Sequence, residues 1–86
     1  MPEICRFYGI VIKMYFADHA PPHFHAEYAE YEARIAIDTL AVISGKLPPR
    51  AMGLVVEWTS LHQQELAAAW DKARRSEPLP HLDPLP

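Results

Sequence analysis

The chain has 86 residues, eight basic against eleven acidic, and a net charge of −3 with histidine neutral. That length makes one domain with a modest core, and a 50% apolar content argues against disorder. The acidic balance argues against general nucleic-acid binding, which draws its affinity from neutralised phosphates; Arg6, Lys13 and Arg34 still leave room for a local basic patch on a sheet.

No apolar run approaches the roughly 18 residues of a membrane span. The start, Met1-Pro2-Glu3-Ile4-Cys5-Arg6, lacks the basic-then-apolar layout of a secretory leader, so the chain reads as cytoplasmic. Cys5 is the single cysteine, which excludes an internal disulfide and a cysteine-based zinc knuckle. In its strand-like context it reads as a small buried hydrophobe.

From Arg6 to Phe16 the residues are aromatic and β-branched, with Tyr8, Ile10, Ile12, Met14 and Phe16 on one parity. That period of two predicts one half-buried strand, with Gly9 as a bulge or close approach. Ala17 to Pro22 is a connection. Alternation then resumes, with His23, His25 and Glu27 on one face and Phe24, Ala26 and Tyr28 on the other. Ala29-Glu30 predicts a tight turn, and Tyr31 to Ile37 the partner strand of a hairpin. A short fourth strand is expected over Leu40 to Ser44, closed by Gly45.

Lys46-Leu47-Pro48-Pro49 leads into a helix, since proline is well placed in a first turn. From Pro49 to Arg75 the apolar positions Ala51, Leu54, Val55, Trp58, Leu61, Leu66, Ala69, Trp70 and Ala73 form one stripe. Lys72, Arg74 and Arg75 complement its C-terminus, and Pro78 marks its end. Such a helix is about 40 Å long, whereas a compact chain of this size is about 30 Å across. It must bend (near Gly53 or around His62), split, or extend onto a partner, and a homodimer or partner protein would cover the overhang. On that reasoning Trp58 is expected in the core, and Trp70 and Leu66 at a partner interface. The tail from Glu77 to Pro86 alternates proline with leucine, and either lies along an apolar groove or frays.

Chemistry concentrates in Asp18-His19-Ala20-Pro21-Pro22-His23-Phe24-His25-Ala26-Glu27-Tyr28, which holds three of the five histidines. Residues two apart on a strand face the same way, so His23 and His25 can converge on one ion. His19, Asp18 or Glu27 would complete a ligand set for zinc or a related divalent metal. A second reading is acid–base cleavage of a phosphodiester, with His23 and His25 as the proton carriers and Glu27 and Arg34 as their charged neighbours. A third keeps the histidines structural, His19 bracing the loop and His23 and His25 on a solvated strand face.

Three segments together resemble a family of short bacterial proteins, domain of unknown function 4160. They are Ile4-Cys5-Arg6-Phe7-Tyr8-Gly9-Ile10-Val11-Ile12-Lys13-Met14-Tyr15, then Asp18 to Ala26, then Gly45-Lys46-Leu47-Pro48 with Val56-Glu57-Trp58 and Leu61-His62. Cys5 stands where the family commonly has serine. The resemblance implies a gene often beside a second small gene, in a toxin–antitoxin-like pair, and hence a protein partner; it carries no catalytic residues over.

The expectation is therefore an α+β fold, with a four-stranded, mainly antiparallel sheet on one long C-terminal helix over residues 1–76 and a tail over 77–86. The expected function is an interaction module of a toxin–antitoxin-like pair, or else a small metal- or histidine-dependent ribonuclease using His19, His23 and His25. DNA-binding regulation is disfavoured by the charge and by the lack of a helix-turn-helix pattern.

Overall fold

The computed structural model describes residues 3–86; Met1 and Pro2, at the start of the stretch read for a leader, lie outside them. Strands β1 (Glu3–Phe7), β2 (Ile10–Lys13), β3 (His23–Tyr28), β4 (Tyr31–Ala36) and β5 (Val42–Lys46) precede helix α1 (Pro49–Arg74). They form one antiparallel sheet in the order β1-β2-β3-β4-β5. The α+β class is as expected, but the sheet has five strands rather than four.

The extra strand comes from the single strand expected over Arg6 to Phe16. Tyr8 and Gly9 take φ of 51° and 80°, positive at both central positions of a two-residue turn. That twist matches a hairpin, so the chain reverses there instead of bulging. Apolar alternation survives on both sides of the turn, which hides the break. The last strand is also shifted, from Leu40–Ser44 to Val42–Lys46, and Gly45 lies inside it.

Register sorts the sheet into two faces. Cys5, Ile12, Ala26 and Ala33 are successive cross-strand partners, as are Phe24 and Ile35. All are buried under the helix and tail. Trp58 of α1 is fully buried there, its ring 5.5 Å from Phe7 and 6.0 Å from Phe24, as expected. Cys5 is among the buried residues and burial pushes its thiol up, which suits a packing role. The other face carries two polar rows, Lys13–His25–Arg34–Ser44 and Val11–Glu27–Glu32–Lys46.

A straight helix of the 26 residues in α1 would run about 39 Å, yet the longest extent of the molecule is 33 Å. The helix bends at His62, whose φ of −127° and ψ of 20° are not helical. Just before it, the Thr59 and Ser60 hydroxyls donate back to the Val55 and Glu57 carbonyls, a pattern that bends helices. Beyond the bend, Gln63 Nε2 donates to the carbonyls of Ile37 and Asp38, holding the second half against the end of β4.

The bend resolves the overhang within the chain. Leu66 and Trp70, expected at a partner interface, are 0% and 3% exposed and belong to the protein's own core. The tail docks rather than fraying. Leu82 and Leu85 are buried, the Leu82 N–H donates to Ile4, and Trp58 Nε1–H donates to Asp83 at 2.8 Å. Among the described residues no helix is long and apolar enough to cross a membrane.

Candidate metal centre

The central strand β3 is buried on both sides. Phe24 and Ala26 face the helix, while His23 and His25 face the polar side yet are only 4% and 6% exposed. The solvated face expected for these histidines is therefore covered. The Tyr15 ring stands edge-on to His25 at 4.6 Å, and Trp70 lies 5.2 Å from His23. The loop between β2 and β3 is pinned from both ends. Ala17 N–H donates to the Ala73 carbonyl of α1, and Ile37 N–H donates to the Pro22 carbonyl. This positions Asp18 over the two histidines.

Asp18 Oδ2 stands 3.0 Å from His23 Nε2 and 3.3 Å from His25 Nε2. The remaining ring nitrogens have acceptors of their own. His23 Nδ1 lies 2.7 Å from the Pro21 carbonyl oxygen, and His25 Nδ1 lies 3.3 Å from Glu32 Oε2. A carbonyl only accepts, so His23 Nδ1 carries a hydrogen and donates it. In the neutral ring Nε2 then holds a lone pair, aimed at a carboxylate oxygen. His25 meets the same conflict between two carboxylates. Either the rings carry an extra proton or a cation lies between the three groups.

The geometry fits a cation. Two ligand atoms that share a metal at about 2.1 Å stand roughly 3.0–3.4 Å apart for octahedral or tetrahedral angles, the range of both Asp18 contacts. The Asp18, His23 and His25 ligand atoms all lie within 4.8 Å of one another. Imidazole ligands of metals hold their other ring N–H on a carbonyl or carboxylate, as His23 does with Pro21 and His25 with Glu32. Two histidines and one carboxylate are a set used for zinc and for non-haem iron, with coordination positions left open.

In the metal-free protein the electrostatics hold Asp18 in its ionised form. Burial alone pushes its carboxyl up, but the His19 N–H, the hydrogen bond with His25 and the charges of both imidazoles outweigh that and hold it below the ordinary 3.8.

The other expected site residues fall elsewhere. His19 is exposed and outside the cluster, because its backbone N–H donates to Asp18 Oδ1 and its ring is left in solvent. Glu27 pairs with Lys13 at 3.1 Å instead of reaching the histidines. Arg34 is the cross-strand partner of His25 and is exposed. Glu32, the carboxylate that does meet His25, was not expected. It was legible from the Ala29-Glu30 turn, which sets Glu27 opposite Glu32 and His25 opposite Arg34. Glu32 is then a diagonal neighbour of His25, within reach of a long side chain.

Residues 9–71 match the model of a family described as Domain of unknown function (DUF4160). The chain belongs to that family. The DUF4160 match begins in the turn before β2 and ends in the second half of α1, so it contains Asp18, His23, His25 and Glu32. No curated protein and no solved structure matches the chain.

Proposed function

We propose that the protein holds one divalent transition metal on Asp18, His23 and His25 and cleaves RNA phosphodiesters with it, as the catalytic member of a bacterial, cytoplasmic, toxin–antitoxin-like pair. The observation that carries this reading is the Asp18 carboxylate oxygen set against Nε2 of both histidines whose other nitrogens are occupied. Asp18, His23 and His25 would hold the cation, which when bound would supply Lewis acidity toward a phosphoryl oxygen and lower the pKa of water toward neutral. The chain's own residues do the rest. Pro21 and Glu32 fix the two ring orientations, Tyr15 and Trp70 exclude bulk water from the imidazoles, and Asp18, with a side chain 20% exposed, marks the open side.

Service as an interaction module has support of its own. Strand β5 is exposed throughout and forms a sheet edge, with Val42 and Ile43 46% and 43% exposed. The opposite edge strand, β1, is joined by the tail through Leu82 and Ile4. An open edge of this kind accepts a further strand, from a partner protein or a second copy of the chain.

Native mass spectrometry with and without chelator tests the metal. About one zinc, nickel, iron or manganese per chain is expected, and it should be lost in His23→Ala/His25→Ala and in Asp18→Asn while circular dichroism stays native. A wild-type chain that takes up no metal from any of these salts would overturn the reading. Cleavage of a labelled RNA by the loaded protein, abolished in the same variants, tests the reaction.

A further inference from the structure

We infer that Arg34, Ser44 and Lys46, on the open sheet face beside the metal ligands, form an anion site that takes a phosphate group. This rests on the reading of Asp18, His23 and His25 as the metal centre. Arg34 is the cross-strand partner of His25, and Ser44 is the partner of Arg34. Side chains so paired start about 5 Å apart on one face, so Arg34 is rooted beside His25 on the polar face of the sheet. A shallow cleft lined by Glu32, Ala33, Arg34, Ser44 and Gly45 lies there.

Arg34 and Lys46 share one sheet face and, like Arg50, Lys72 and Arg74 on α1, have no ion-pair partner among the described residues. Arg6 pairs with Glu3, Lys13 with Glu27 and Arg75 with Glu77. The cross-strand partner of Lys46 is Glu32, whose carboxylate turns to His25 Nδ1 instead. Holding the histidine thus leaves two cations and a hydroxyl uncompensated in a chain whose net charge is −3.

That donor set suits phosphate better than carboxylate. A guanidinium offers two parallel N–H bonds to two oxygens, the Ser44 hydroxyl reaches a third, and the lysine adds a point charge. Gly45, at φ 76°, closes the cleft with bare backbone. The phosphate can belong to an RNA backbone or to a free phosphate or mononucleotide.

The test titrates the zinc-loaded full-length protein with inorganic phosphate, and separately with a short oligouridylate, by calorimetry. Arg34→Ala should weaken phosphate binding at least tenfold, Arg34→Lys should recover part of it, and Arg50→Ala on α1 should leave it unchanged. Oligouridylate binding much tighter than phosphate, with the same Arg34 dependence, assigns the site to an RNA backbone; equal affinities assign it to the free anion. The proposal is overturned if Arg34→Ala and Arg34→Ala/Lys46→Ala bind both probes as the wild type does, or if the wild type binds neither at millimolar concentration. Failure of the metal reading looks different: no zinc loads, and Asp18→Asn binds phosphate like the wild type with its Arg34 dependence intact.

Discussion

Glu32 Oε2 lies 3.3 Å from His25 Nδ1, although the cross-strand partner of Glu32 on β3 is Glu27. Its side chain leans diagonally along the sheet to meet the imidazole, while Glu27 turns the other way to Lys13. The contact orients a ring that has to present Nε2 toward Asp18.

Glu32 is exposed, so replacing it with glutamine should leave the fold intact. The amide still fills the space but no longer draws the Nδ1 proton as a carboxylate does. Second-layer carboxylates of this kind contribute about 10–100-fold to metal affinity. Glu32→Gln should therefore bind zinc some tenfold or more weakly in a competition assay, with unfolding by urea shifted by less than about 0.5 kcal/mol. Unchanged zinc affinity would show that the Pro21 and Asp18 contacts suffice.

Two glycines make a paired prediction. Gly45 sits at φ 76°, and a Cβ there would run into the backbone carbonyl oxygen of Glu32. Left-handed backbone costs a side-chain-bearing residue about 1–2 kcal/mol, and the clash forces β4 and β5 apart. Gly45→Ala should lose about 3 kcal/mol or more, with zinc affinity falling too because Glu32 is displaced. Gly53, on the exposed side of α1, has nothing within 4 Å of such a Cβ. Gly53→Ala should gain roughly 0.5–1 kcal/mol. Chemical denaturation of both variants checks the opposite signs.

Those glycines also show how far the sequence is legible. Period-two alternation identified β3 and β4 and the face each residue takes, because a half-buried strand writes its face into its residues. It could not reveal the reversal at Tyr8-Gly9, since apolar residues resume on the far side and Tyr8 is not a usual residue at positive φ. The helical stripe located α1 and its length required a bend. Only the backbone places that bend at His62, which makes Leu66 and Trp70 core rather than surface. For the site, spacing put His23 and His25 together. Which neighbour joins them depends on a loop pinned to α1, a long-range contact with no local signature, so the sequence favours His19 as the third ligand, with Asp18 or Glu27 as alternatives, whereas the fold brings Asp18 to the two histidines.

The docked tail should be a large part of the stability. Leu82 is buried against the core and its N–H donates to Ile4, while Asp83 accepts from the Trp58 indole. Leu82→Ala removes a packed side chain at the edge of the core, where partial collapse puts the cost near the low end of the usual range, about 2 kcal/mol. In a domain of this size that is a fall in Tm of roughly 10 °C. Deleting residues 78–86 should cost more, since Trp58 Nε1–H then loses its acceptor at an additional ~1–3 kcal/mol, and indole emission should shift to the red. Equal stability of the full and shortened chains would mean the tail adds nothing.

Asp18 predicts the acid response of the metal-free protein. Its carboxyl is held below the ordinary value of 3.8 in the folded state, so the unfolded chain binds that proton more readily than the folded one. The stabilisation is therefore fully present above about 3.8, and is lost as pH falls through the lower, folded-state value. Asp18→Asn removes this contribution at every pH. In the presence of chelator, the wild type should exceed the variant in urea midpoint near pH 6, and the gap should close as the pH falls below 3.8 and the wild-type carboxyl takes up its proton. A gap that stays constant over that range would mean that the Asp18 charge contributes nothing and that the amide differs only in packing.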